Sequence, residues 1–290
     1  MASSKKKAKL PKAAVIAWPA GHLKSPDIYR ELGKLLKRPV DCEPLAVEPH
    51  ALAAFFDRIR KTGEAEGWVG FNVTIPHKEA VLRHIDAATP EARGIGAANV
   101  VTVGRRKLLG DNTDAGGFLD ALAERGVPLA GVEALVFGAG GAARAVGWAL
   151  ASAGAKRVHL LNRNAGRAFA LAASLSRQLP RTQFTAGPQW PRDALLWVNA
   201  TPLGMFGFPA QSPIPAGVTL PRGAWAYDLV YRPVETPFLR QAAGAGARTI
   251  GGADMLVYQA LRTWELWFDP LGGRRRRELK TELMKKVKWR

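Results

Sequence analysis

The chain carries a single cysteine, Cys42, so it cannot form an internal disulfide and offers no set of thiolates for a metal. That scarcity predicts a reducing compartment. No run of eighteen apolar residues is available to cross a membrane, and the opening MASSKKKAKLPK lacks the apolar stretch of a signal peptide. A cytoplasmic protein is expected. Acidic residues are also few: 24 Asp and Glu stand against 42 Lys and Arg, a formal charge of +18. The imbalance is concentrated at the ends. Residues 1–12 hold five lysines and no acid, and residues 270–290 hold nine basic groups against Glu278 and Glu282, so the ends supply twelve of the eighteen charges. Basic ends can bind nucleic acid. No nucleic-acid motif accompanies them here, so a solubilising role is the expectation. Leu279, Leu283 and Val287 fall on one helical face, which predicts a docked amphipathic helix at the C-terminus.

Apolar content of 47% over 290 residues is enough for full cores and suits two domains of ordinary size. Short apolar runs alternate with alanine-rich stretches, the pattern of an α/β fold. AAVIAW (13–18), VDCEPLAV (40–47) and WVGFNVT (68–74) read as strands, with helices after Ser25-Pro26 and from about Pro49 to Arg60. Ser25 reads as a helix N-cap, and a short helix is expected from His77, then a strand in GAANVVTV (96–103). GDNTDAGGF (110–118) has the Gly and Asx content of a turn, with a helix leaving from Ala115. A second βαβ series begins at EALVFG (133–138) and continues through RVHLLNR, LLWVNA, AWAYDLV and TIGG to a long aromatic helix from about Ala253.

GAGGAARAV (138–146) follows the strand EALVF and opens an alanine-rich helix. Small residues let the backbone approach a pyrophosphate, and the helix N-terminus presents amide donors. The next strand sharpens the reading. A site for NAD usually ends that strand with an acid that holds the ribose 2′-hydroxyl. Here it ends in Asn162-Arg163-Asn164 with Arg167 a turn later, a set suited to a 2′-phosphate. NADP is therefore the expected cofactor; the plainer alternative is that Arg163 and Arg167 solvate a helix start.

Four polar stretches, GHLKSP (21–26), NVTIPHK (72–78), GAAN (96–99) and GDNTD (110–114), sit at strand or loop ends. In a parallel sheet such ends face one crevice. They offer Ser25, Thr74, Asn99, Asp114 and Lys78, a set for a small polyhydroxylated ligand. Lys78 and Asp114 form a natural proton-transfer pair, the carboxylate fixing the ammonium. Each residue alone has a bland reading as a turn former, strand residue or surface charge. His77 reads as structural, with no second histidine placed to make a metal pair, and no metal is expected.

GHLKSP, NVTIPHKE, GAAN, GDNTDAGG, GAGGAAR, NRN with Arg167, NATPLGM (199–205), YDLVYRPVETPFL (227–239) and GADMLVYQA (252–260) together resemble the shikimate dehydrogenase family, in family order over about residues 15–268. The resemblance implies reversible, NADP-dependent reduction of 3-dehydroshikimate to shikimate in aromatic amino-acid biosynthesis. It implies a substrate domain (1–113), a Rossmann-type cofactor domain (114–250) and C-terminal helices (251–290) that return to the substrate domain. Lys78 and Asp114 are then the catalytic pair, and Ser25, Thr74, Asn99, Tyr231 and Gln259 hold the substrate. Gly138, Ala139, Gly140, Gly141, Ala142, Asn162, Arg163, Asn164, Arg167, Leu229 and Gly252 are cofactor contacts. Two positions depart from the family pattern: Leu23 replaces a usual serine, and Val100 stands where threonine is common. These leave a quinate or other cyclic polyol-acid dehydrogenase as the rival enzyme, and a non-catalytic NADP-binding regulatory protein as the rival of another class. A monomer or homodimer is expected.

Overall fold

The computed structural model describes residues 10–21, 23–191 and 193–289; the lysine-rich segment 1–9 and His22 of GHLKSP lie outside these. The first sheet contains β1 (Lys12–Ala17), β2 (Asp41–Ala46), β3 (Trp68–Val73), β4 (Ala87–Ala88), β5 (Val100–Gly104) and β6 (Lys107–Asp111), in the spatial order β2-β1-β3-β5-β6-β4. Helices α1 (Ser25–Leu35), α2 (Leu52–Glu66) and α3 (Pro90–Ile95) connect its strands. β1, β2 and β3 run parallel, as expected for consecutive crossover units.

The sheet then turns back on itself through a hairpin that the reading of a strand in 96–103 and a turn in 110–118 did not include. β5 is antiparallel to β3, and β6 is antiparallel to β5. The hairpin between them turns at Arg105 and Arg106, with φ of 44° and 59°. Non-glycine residues at positive φ carry no sequence signature as plain as Asn-Gly, so the turn is hard to read in advance. Its consequence is functional. Asn99, which enters β5, comes to the same sheet edge as Thr74, which leaves β3; Val73 N donates to Asn99 O at 2.8 Å.

Two further expectations need correction. Helix α1 begins at Ser25 itself, with Lys24 as its N-cap and no side-chain capping bond. The chain after Pro76 does not start a helix at His77: it turns, and a 3-10 helix spans Ala80–Arg83. The Lys78 carbonyl bonds sideways to Ala98 N at 2.8 Å, while the buried His77 ring bonds Val47 O at 2.7 Å. Those two lateral bonds leave Lys78 in a turn, where its charge opposes no helix dipole.

Helix α4 (Thr113–Glu124) crosses to the second sheet, formed by β7 (Glu133–Phe137), β8 (Arg157–Leu161), β9 (Gln183–Ala186), β10 (Leu196–Asn199), β11 (Trp225–Asp228) and β12 (Arg248–Ile250). Its order is β12-β11-β10-β7-β8-β9 and every pairing is parallel. Helices α5 (Gly141–Ser152), α6 (Ala165–Gln178) and α7 (Pro237–Gly244) cover it. Strand order reverses between β7 and β10, and the crevice beyond their carboxyl ends is where doubly wound sheets accept ligands.

After β12, helix α8 (Ala253–Trp267) packs on α4 and α1, and α9 (Gly272–Lys286) packs on α1 and α8. Gly116 and Gly117, just past the expected helix start at Ala115, lie inside α4 and allow this approach. A Cβ on Gly117 would sit 2.7 Å from Gln259 N, and one on Gly116 would sit 2.7 Å from the Arg262 guanidinium. Leu279, Leu283 and Val287 are all buried in the same core as Ile28, Tyr29 and Trp264. Lys280 of α9 reaches Glu124 Oε2 at 2.7 Å and Asp254 Oδ1 at 2.8 Å. Among the described residues, no helix is long and apolar enough to cross a membrane.

Beneath the second sheet, His159 is buried between Thr185 Oγ1 (2.8 Å from Nδ1) and Gly187 O (3.0 Å from Nε2). The carbonyl requires a donor at Nε2, so the neutral ring fits with Nδ1 accepting from the hydroxyl. Burial holds the pKa of both His159 and His77 below the usual 6.5. A lowered folded-state pKa means that the unfolded chain takes up the proton first. The stability these rings contribute is complete above pH 6.5 and is lost as pH falls toward their folded values. Urea unfolding of the wild type at pH 7.5 and 5.5 is expected to show a lower midpoint at pH 5.5. The drop should be smaller in His159→Gln; an equal drop would refute this assignment.

Candidate active site

Lys78 and Asp114 meet where β3, β6 and α4 converge. Nζ lies 2.5 Å from Asp114 Oδ2, and the two side chains are 15% and 6% exposed. A pair so far removed from water persists only if its remaining valences are satisfied. Asp114 is held by one further hydrogen bond to its carboxylate and by its place at a capped helix start. Asn99 Nδ2 donates to Oδ1 at 3.0 Å. The residue stands in the first turn of α4, where the helix dipole favours a carboxylate. Asn112 caps that helix, its Oδ1 accepting from Asp114 N at 3.1 Å and Ala115 N at 3.4 Å.

Asn99 is fixed in turn by its own neighbours. Its Oδ1 accepts from Thr113 N at 2.7 Å, and its Nδ2 also reaches Thr113 Oγ1 at 2.9 Å and Gln259 Oε1 at 3.3 Å. Gln259 comes from α8, some 160 residues later in the chain. Its Nε2 is anchored on Leu256 O at 2.8 Å, which orients Oε1 toward the site. Thr113 and Thr263 hydroxyls lie 3.0 Å apart and complete the tie between α4 and α8.

Asn72 belongs to this group and was not singled out from sequence. It is buried on β3, its Nδ2 donating to Asn99 O at 3.2 Å and to Gln259 Oε1 at 3.4 Å. Its Oδ1 has no partner among the described residues. The available signal was a polar residue inside an apolar strand, two positions before Thr74 and so on the same face. Thr74 is half-buried at the strand end, its N–H held by Ile16 O at 3.0 Å. Ser25 is buried at the start of α1. Tyr231, from the loop after β11, has its phenol pKa raised by burial, an effect opposed by the backbone of Lys24 within hydrogen-bonding reach. Leu23 packs against the main apolar core, and Val100 is fully buried at the register position between Asn72 and Asp111.

The glycine loop adjoins this cluster directly. A Cβ on Gly141 would lie 2.7 Å from Lys78 Cβ, so the aliphatic stem of Lys78 occupies the space that Gly141 leaves. Gly140 differs: its Cβ position meets nothing within 4 Å. Gly138 has φ of 116°, and a Cβ there would lie 3.0 Å from Ala200 O at the start of the loop after β10, so the position favours glycine for both conformation and clearance. Ala139 is buried, and Ala142 lies in the first turn of α5. No side chain caps α5, so its first amides remain unclaimed. Free amides beside an open glycine fit a pyrophosphate.

Asn164 caps α6, its Oδ1 accepting from Arg167 N at 3.2 Å, and Asn162 Nδ2 donates to Asn164 O at 2.9 Å. The two amides therefore shape the turn that presents Arg163, which is exposed and forms no ion pair among the described residues. No acid stands at this strand end, so the residues fit a phosphate on the ribose. Leu229 and Gly252 are brought together: a Cβ on Gly252 would lie 2.2 Å from Leu229 O. Gly252 is thus required by a backbone crossing.

Residues 15–101 match the shikimate dehydrogenase substrate binding domain. The shikimate dehydrogenase (NADP(+)) of Symbiobacterium thermophilum is 46% identical over 72% of this chain and 73% of its own length. That of Afipia carboxidovorans is 43% identical over 89% of this chain and 91% of its own. Among solved structures, the shikimate 5-dehydrogenase of Thermus thermophilus in complex with NADP(H) and shikimate superposes with a TM-score of 0.81 at 38% identity, covering 94% of this chain and all of that one. A ligand-free 5-ketofructose reductase of Gluconobacter superposes with a TM-score of 0.80 at 29% identity, over 95% of this chain and 99% of that one.

The contrast between the two adjacent glycines is testable without any ligand. Gly141→Ala forces its methyl into the Lys78 stem and is expected to destabilise the fold by about 1–3 kcal/mol. Gly140→Ala, facing open space, should stay within about 0.5 kcal/mol of wild type. Chemical denaturation of both variants checks this, and equal losses would contradict the packing described.

Proposed function

The chain belongs to the shikimate dehydrogenase family, and we propose that it catalyses the NADP-dependent, reversible reduction of 3-dehydroshikimate to shikimate. The observation that carries this reading is the water-excluded Lys78–Asp114 pair, braced by Asn99 and Gln259 and lying directly against the glycine loop. Residues 1–113 are assigned to the substrate, 114–250 to the cofactor, and 251–290 to helices that brace the substrate side. A lone buried cysteine accords with a cytoplasmic, biosynthetic enzyme.

NADP, when bound, exchanges a hydride with the carbon that bears the reacting oxygen. Lys78 supplies the proton to that oxygen in the reductive direction and removes it in the other. Its ammonium also stabilises negative charge developing on the oxygen, in surroundings where such an interaction is strong. Asp114 keeps Lys78 in place and accepts from a substrate hydroxyl. Ser25, Thr74, Asn99, Tyr231 and Gln259 bind the remaining hydroxyls and the carboxylate. The amides at the start of α5 and the side chains of Arg163 and Arg167 would hold the cofactor's phosphates, with Leu229 and Gly252 as further contacts.

The second reading, a dehydrogenase preferring quinate or another cyclic polyol acid, draws on Leu23. Its side chain packs into the apolar core and offers no hydroxyl to a carboxylate. Lys78→Ala is expected to reduce turnover by about 10²–10⁴-fold while leaving NADP+ binding nearly intact. A variant that keeps most of its turnover would exclude Lys78 as the proton carrier. Initial rates with shikimate and quinate, each with NADP+ and NAD+, separate the two substrates. Leu23→Ser should lower the KM for shikimate by about tenfold, the effect of one added hydrogen bond to a charged group. A preference for quinate would replace the first reading by the second.

A further inference from the structure

The two arginines assigned to the 2′-phosphate are not in the same state. Arg163 forms no ion pair among the described residues, whereas Arg167 is already engaged. From the first turn of α6, its Nη2 donates to Glu79 Oε1 at 2.9 Å. The other oxygen of the same carboxylate, Oε2, accepts from Arg144 Nε at 3.2 Å, and Arg144 lies in the first turn of α5. Glu79 follows Lys78 in the chain and belongs to the substrate side. One carboxylate thus spans two cations at the cofactor side, immediately beside the residue assigned to proton transfer.

The two cations are held differently. Arg144 is 19% exposed and its Nη1 lies 3.0 Å from the Cβ position of Gly96, so packing as well as charge fixes it. Arg167 is 55% exposed and rests on the carboxylate alone. An ion pair so open to water contributes little and is easily exchanged for a partner of higher charge. A phosphate monoester is such a partner, with more acceptor oxygens than a carboxylate.

We propose that Glu79 acts as an internal stand-in for the 2′-phosphate of the cofactor. It holds Arg167 while the cofactor is absent and yields it when the phosphate arrives, retaining Arg144. Glu79 therefore lowers the apparent affinity for NADP+ without touching the affinity for NAD+. This inference rests on the NADP reading above.

Isothermal titration calorimetry on the purified full-length chain tests it, with NADP+ and NAD+ as probes of wild type, Glu79→Gln, Arg167→Ala and the double variant. Glu79→Gln is expected to bind NADP+ about two- to fivefold more tightly, the scale of one exposed ion pair. Its NAD+ affinity should not change, and the gain should vanish in the Arg167→Ala background. Glu79→Ala provides the same reading should the amide disturb the turn. Unchanged or weaker NADP+ binding overturns the inference, as does equal tightening toward both cofactors or a gain that survives loss of Arg167. A wild-type chain that binds NADP+ no better than NAD+ overturns the cofactor assignment itself, a result distinct from the others.

Discussion

A lysine and an aspartate held together out of water impose most of the order seen around them. Separating Lys78 or Asp114 from its partner would leave an unpaired buried charge, which is strongly unfavourable. Keeping the pair also requires that the carboxylate's other oxygen be occupied and its surroundings fixed. Asn99 occupies Asp114 Oδ1, Asn112 closes the end of α4, and Gln259 occupies the space beyond Asn99. Gln259 can do so only because α8 lies close to α4, and α8 lies close only because Gly116 and Gly117 have no side chains. The C-terminal helices are therefore part of the site's construction.

The same pair sets how the two sheets meet. Lys78 extends against Gly141, at the first turn of the helix that follows the glycine loop. The next residue, Glu79, carries two arginines from the other side of that junction. A ligand spanning the junction thus encounters the proton-carrying turn, the phosphate-binding amides and the cations within one short stretch of structure. Glycine here serves two ends: Gly140 faces open space suited to a ligand, whereas Gly141 accommodates a side chain of the protein itself.

Much of this could be read in advance. The residue pattern resolved two α/β sheets, the glycine loop on its strand-to-helix turn, the absence of an acid at the end of β8, and the polar ends that carry Lys78, Asn99 and Asp114. These are local signals: hydrophobic period, Gly and Asx chemistry, and motif spacing. What escaped was set by contacts distant in sequence. Asn72 looks like one polar residue in an apolar strand until Gln259 arrives from α8. Glu79 looks like a solvated acid until Arg144 and Arg167 reach it. Gly116 and Gly117 look like unremarkable glycines at a helix start until Gln259 and Arg262 of α8 pack on them.

By itself, the sequence determined the class of fold, most of its strands and helices though not β4, β6 or β9, the choice of small residues at the cofactor loop and the set of polar groups available for chemistry. Only the tertiary structure decided which of those groups share one space. A β5 parallel to β3 would have carried Asn99, at its start, to the edge opposite Thr74, at the end of β3. The antiparallel return of β5 through Arg105 and Arg106 brings it to the same edge, beside Asp114. Strand direction is fixed by pairing and burial over the whole sheet, and those depend on which apolar faces meet, a property no single stretch of residues contains.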